Sequence, residues 1–117
     1  MANRLGAVRI SPQVLATSAR LATLAVSGVV AMHRALPSDV NRWLKGKSAG
    51  DGVRIQVVDD AVSVDLHITA AKNVNLYELG REIQARVSRA IQDMIGMPVL
   101  AVNVHIEDVE TLIENEE

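Results

Sequence analysis

The sequence contains no cysteine, which excludes disulfides, thiolate metal sites and cysteine nucleophiles. That absence fits a cytoplasmic protein. Aromatic residues are almost as scarce, with one Trp, one Tyr and no Phe. A stacking platform for successive bases cannot be built from two rings, which argues against the commonest RNA-binding modules. Long apolar runs are missing as well. The most apolar region, Val14 to Met32, is interrupted by Arg20, Ser27 and Gly28 and does not read as a membrane span. The opening "MANRLGAVRI" has no apolar stretch of signal-peptide length.

What is present is an aliphatic core. Apolar residues make up 49% of 117 residues, enough for one domain, and the packing must come from Val, Leu, Ile, Ala and Met. Net charge is −2 but unevenly spread: residues 1–54 carry eight basic and two acidic residues, and residues 55–117 carry four basic and twelve acidic. Such asymmetry suits either solvated faces with an acidic tail or opposite ends that attract in self-association.

Local signals divide the chain. Residues 1–6 read as a flexible terminus, residues 7–109 as a single domain and residues 110–117 as an acidic tail. Ser11 followed by Pro12 predicts a helix start, with an apolar stripe of Val14, Leu15, Ala19, Ala22 and Ala25, Leu21 and Leu24 at its edge, and Gly28 at its end. "VVAMH" reads as a short strand, and Ser38 as the cap of a short helix carrying Val40, Trp43 and Leu44. "VRIQVV" and "AVSVDLHITA", joined at Asp59-Asp60, predict an antiparallel hairpin.

The strongest helix signal lies in "NVNLYELGREIQARVSRAIQDMIG". Leu76, Leu79, Ile83, Val87, Ile91, Met94 and Ile95 recur at helical spacing, Glu82 can pair with Arg86, and Gly96 closes the run. The last strand, "VLAVNVHIEDV", follows Pro98. Strand, helix, strand predicts a parallel pairing with "AVSVDLHITA". The expected fold is α+β: one small mixed sheet of about four or five strands, with two long helices on one face.

Alternation then assigns the other face. With Val62, Val64, Leu66 and Ile68 turned to the helices, Ser63, Asp65, His67 and Thr69 face away. With Leu100, Val102, Val104 and Ile106 inward, Asn103, His105 and Glu107 face away. Arg54 and Gln56 join them, while Val53, Ile55 and Val57 turn inward and Asp108 falls at the strand end. All three histidines can share this surface if His33 does. His67 and His105 with Asp65 and Glu107 are the residue types of a divalent metal site, yet no established ligand spacing is present. A one-sided sheet shows water a polar face of which His is an ordinary member, and that is the commoner explanation.

Other chemistry has weaker support. "GKS" at Gly46–Ser48 resembles the end of a phosphate loop, but Asn41 stands where the first glycine belongs. Ser63, Asp65 and His67 are triad types, yet alternate residues of one strand point in parallel. Arg34, Arg42, Lys45 and Lys47 form a basic cluster suited to phosphates, and Trp43 within it suits a partner anchor.

Four stretches in order, "VRISPQVLATSARLATLAVSGVVAM", "GVRIQVVDDAVSVDLHITAAKNVNL", "REIQARVSRAIQDMIGMPV" and "LAVNVHIEDV", resemble the bacterial alkaline shock, or envelope stress response, family over about residues 7–109. The resemblance implies a short strand before the first helix. It also implies a non-enzymatic cytoplasmic protein of cell-envelope homeostasis, without cofactor or membrane span, that self-associates and reaches the inner face of the membrane through an anchored partner. Ala25 and Ser27 stand where the family often has Glu. Interaction candidates are Arg34, Arg42, Trp43, Lys45, Lys47, His67, Asn103 and His105. The alternative is a small nucleic-acid-binding or regulatory domain using the loop around Lys45 and Lys47.

Overall fold

A computed structural model describes residues 5–33 and 52–110. The first helix, α1, spans Pro12–Leu24, with Ser11 as its N-cap accepting the Gln13 N–H at 3.1 Å. Proline costs nothing at this position because the first-turn N–H has no intrahelical partner anyway. The helix stops at Ala25, before Gly28 is reached. Gly28 instead serves the turn into β1 (Val29–Met32) at φ +107°, where its carbonyl accepts the Ala71 N–H. The buried stripe of α1 is Leu15, Ala16, Ala19 and Thr23, about one residue rotated from the predicted one. Val14 and Leu21 are left exposed. The Thr23 hydroxyl is buried at no net loss because it donates to the Ala19 carbonyl at 2.7 Å.

Strands β2 (Val53–Val58) and β3 (Ala61–Ala71) form the expected antiparallel hairpin, with Asp59 in the left-handed region at φ 55°. Helix α2 spans Leu76–Ile95; Asn75 accepts the Glu78 N–H, and Gly96 ends the helix at φ 71°. Its buried stripe, Leu79, Ile83, Val87 and Ile91, runs at the predicted spacing, and Arg86 pairs with Glu82 at 3.2 Å. Strand β4 (Val99–Glu110) lies parallel to β3, as a strand–helix–strand crossover requires.

The result is a four-stranded mixed sheet under two helices. β3 is its spine. β4 takes one edge over Val62–Ala71, so β1 and β2 lie end to end along the other, opposite Ile68–Ala70 and Ala61–Leu66. His33 donates to the His67 carbonyl and the His67 N–H donates to the Gly52 carbonyl, each at 2.8 Å. The chain therefore leaves and rejoins this edge at one point. Gly52, at φ +79°, is demanded there: a Cβ would lie 2.8 Å from the His67 carbonyl and 3.0 Å from that of His33.

Val62, Val64, Leu66 and Ile68 are all fully buried under the helices, each contributing roughly 1.5–3 kcal/mol of burial. Parity fails in particular places. Val57 is 51% exposed near the end of β2, although its register partner Val62 is buried. Leu100 is 62% exposed: Val62 pairs with Val99 and Ser63 with Ala101, so Leu100 is the extra residue of a bulge. A second bulge at Glu107 shifts the phase again and keeps Asp108 in the sheet, opposite Thr69. The short strand implied before α1 does not form, and Val8 there is 93% exposed. The short helix with Val40, Trp43 and Leu44, the "GKS" turn and residues 111–117 lie outside the described residues.

Candidate functional site

The open face of the sheet carries a row of three histidines. His33 bonds through its backbone to His67, and His67 is the cross-strand partner of His105. Adjacent strands lie about 4.8 Å apart, so the rings of His67 and His105 stack, with centroids 4.4 Å apart and planes within 11°. The His67 Nδ1–H donates to Glu107 Oε2 at 2.6 Å. Glu107 lies two residues beyond His105, on the open face where alternation puts it, and as the extra residue of the second bulge it sits beside His67. His33 Nδ1 lies 3.4 Å from the Thr69 hydroxyl.

Asp65 is the second centre. It accepts from Asn103 Nδ2 at 3.1 Å, lies 3.5 Å from His105 Nε2, and pairs with Arg54 Nη2 at 3.5 Å. Three strands are thus joined through one carboxylate whose side chain is mostly covered. The hydrogen bond from His67 holds the Glu107 carboxyl below its ordinary range; desolvation opposes this, and the positive potentials of His67, His33 and His105 assist it.

These contacts bear on the chemistries that the residues suggested. A relay from Asp65 through His67 to Ser63 is not formed, since Asp65 engages His105 and His67 engages Glu107. A metal ion needs ring nitrogens that converge on one point. Two stacked rings do not converge, and among the described residues no three His, Asp or Glu side chains are placed to hold an ion. Of the interaction candidates, His67, Asn103 and His105 come together on this face. Arg34, Arg42, Trp43, Lys45 and Lys47 lie outside the described residues.

Alternation does not register two further features on the helix side. Between α1 and α2 runs a groove of about 810 Å³ lined by Val14, Thr17, Leu21, Ala22, Ala90 and Met94. Between α2 and β4 lies a smaller one of about 380 Å³, with Leu76, Tyr77, Gly80, Arg81, Val104 and Ile106. Their signal in the sequence was an apolar stripe wider than the core needed: Val14 and Leu21 on α1, Leu76 and Met94 on α2. No described helix is long and apolar enough to cross a membrane.

Residues 1–111 match the profile of the alkaline shock protein 23 family, described as having a cell envelope-related function. The chain is 32% identical over 106 residues to the uncharacterized protein Spy1535 of Streptococcus pyogenes, covering 90% of this chain and 80% of that one. It is 24% identical to the uncharacterized protein YqhY of Bacillus subtilis, covering 91% and 78%. Among solved structures it resembles the MamM C-terminal domain, with a TM-score of 0.52, 15% identity, and coverage of 84% of this chain and 99% of that one. A manganese form of a variant of that domain gives 0.51, at 14% identity and coverage of 84% and 99%. These structural likenesses establish the fold.

Proposed function

Since the chain belongs to the alkaline shock protein 23 family, whose function is cell envelope-related, we propose that it is a non-enzymatic interaction module of the envelope stress response. In this reading it self-associates and binds a membrane-anchored partner from the cytoplasmic side. The observation that carries it is the lateral pairing of the open face. Asp65 and Glu107 are each tied to side chains of other strands, which gives a pre-ordered polar surface whose described side chains are engaged with one another. Such a surface loses little side-chain entropy on contact. His67, Asn103 and His105 are its contact residues. The manganese and cadmium forms of the MamM domain raise a metal reading for this fold, and the stacking of His67 on His105 speaks against it here.

Recovery from a membrane fraction tests the proposal. The wild type is expected to retain a membrane protein that Asn103→Ala/His105→Ala releases while keeping its fold. A wild type that stays wholly soluble, retains no membrane protein and is monomeric at high concentration would refute it.

A further inference from the structure

Strand β4 is an edge of the sheet, and among the described residues its outer side is unpaired. Its inner side pairs with β3 along nearly its whole length. Natural edges are blunted by lysine, proline, shortness or bulges. Val99–Glu110 is twelve residues long and contains no Lys, Arg or Pro. The bulges at Leu100 and Glu107 confine the irregularity to its ends and leave Ala101–Ile106 regular.

The direction of the free groups follows from register. The Val62 N–H bonds to the Pro98 carbonyl, and the His67 N–H bonds to Gly52 on the opposite edge. Even-numbered β3 residues therefore face β4 through their backbones. Ala101, Asn103 and His105 answer them, and Val102, Val104 and Ile106 present theirs outward. Of these outward groups, the Val102 carbonyl is held by Gln84 Nε2 at 3.1 Å.

Above that edge the surface is shaped for close approach. Tyr77 is 73% exposed, and the side chains of Val104 and Ile106 are only half buried beside it. Between them sits Gly80, in the interior of α2, where a Cβ would meet nothing within 4 Å. Glycine is among the poorest residues for a helix interior, and nothing among the described residues requires it here. A notch in a helix beside an unpaired strand admits a second backbone.

We infer that β4 pairs antiparallel with β4 of a second copy about a two-fold axis near Val104, joining two sheets into one, with the helices meeting at Gly80. Charge selects this occupant and this direction. The acids of β4, Glu107, Asp108 and Glu110, all lie at one end. An antiparallel partner sets Glu107 opposite Ala101 and Asp108 opposite Leu100, whereas a parallel one stacks acid on acid. Each copy offers the same strand and the same notch, so one contact satisfies both, as an isologous dimer requires. Gln84 releases the Val102 carbonyl to the incoming Ile106 N–H. The inference rests on the self-association reading above and gives it a surface.

Sedimentation velocity of the full chain over a concentration series tests it, with Gly80→Arg to fill the notch and Val104→Pro to remove an outward N–H without touching the β3 ladder. Circular dichroism verifies the fold of each variant. The wild type is expected to dimerise, and each folded variant to dimerise at least about tenfold more weakly. Should Val104→Pro fail to fold, Gly80→Arg decides alone. A wild type that is monomeric throughout overturns both this inference and the self-association reading. A wild-type dimer that Gly80→Arg leaves undiminished overturns the β4 surface alone.

Discussion

His67 and His105 stack face to face at 4.4 Å because they are register partners on parallel strands, and each leans on a carboxylate of the opposite strand: His67 on Glu107, His105 on Asp65. The arrangement is reciprocal and cross-strand. It ties β3 to β4 on the side away from the helices.

Acid should loosen this tie through Glu107. Its folded pKa is depressed, chiefly by the His67 hydrogen bond. The stabilisation is therefore present above the unfolded value, about 4.3, and is lost as pH falls through the lower folded value. The carboxylate is substantially exposed, so solvent screening limits its worth to about 1 kcal/mol or less. Unfolding titrations should show Glu107→Gln less stable than wild type at pH 7 and level with it once both are below the folded value. A constant difference across that range would remove the assignment.

Asp65 should matter more than any other polar residue of the face. Asp65→Ala strands Asn103, His105 and one bond of Arg54 together, and a cost of about 1–3 kcal/mol is expected from an unmade, partly covered network. In a double-mutant cycle with Asn103→Ala, the two effects should be less than additive. Strict additivity in chemical denaturation would mean that the 3.1 Å contact carries no coupling.

Two glycines predict opposite outcomes. Gly52→Ala places a Cβ 2.8 Å from the His67 carbonyl at φ +79°, so a loss of about 1–3 kcal/mol is expected. Gly80→Ala meets open space in α2 and should raise monomer stability by about 1 kcal/mol. Melting temperatures of the two variants, moving in opposite directions, check both statements at once.

The same contrast shows how far the sequence could be read. Period-two alternation in Val62–Ile68 and the run from Leu79 to Ile91 were unambiguous because one face of each is fully buried. The hairpin, the parallel crossover and the polar row that includes His67, Asn103 and His105 follow from them. Bulges are invisible to alternation, which turns Leu100 inward and puts Asp108 at the end of the sheet, and the structure shows neither. The α1 stripe was misphased by one residue, because alanines at 16, 19, 22 and 25 mark several faces equally. The end-to-end placement of β1 and β2 along one edge was beyond reach, since nothing local distinguishes the two edges of β3. The partner assignments within the face had the same fate: Glu107, and not Asp65, is what His67 holds.

Zinc ligation would require His67 and His105 to turn their nitrogens toward a common point. That means breaking the stack, the 2.6 Å bond to Glu107 and the contact with Asp65. Each contact is with a carboxylate, whose charge strengthens it, and the metal must compete with both. Excess zinc should therefore leave the melting temperature of the wild type unchanged, and equally that of His67→Ala and His105→Ala. A rise in the wild type of several degrees, absent from both variants, would show that the face reorganises around an ion and that its flat, paired state is only one of two.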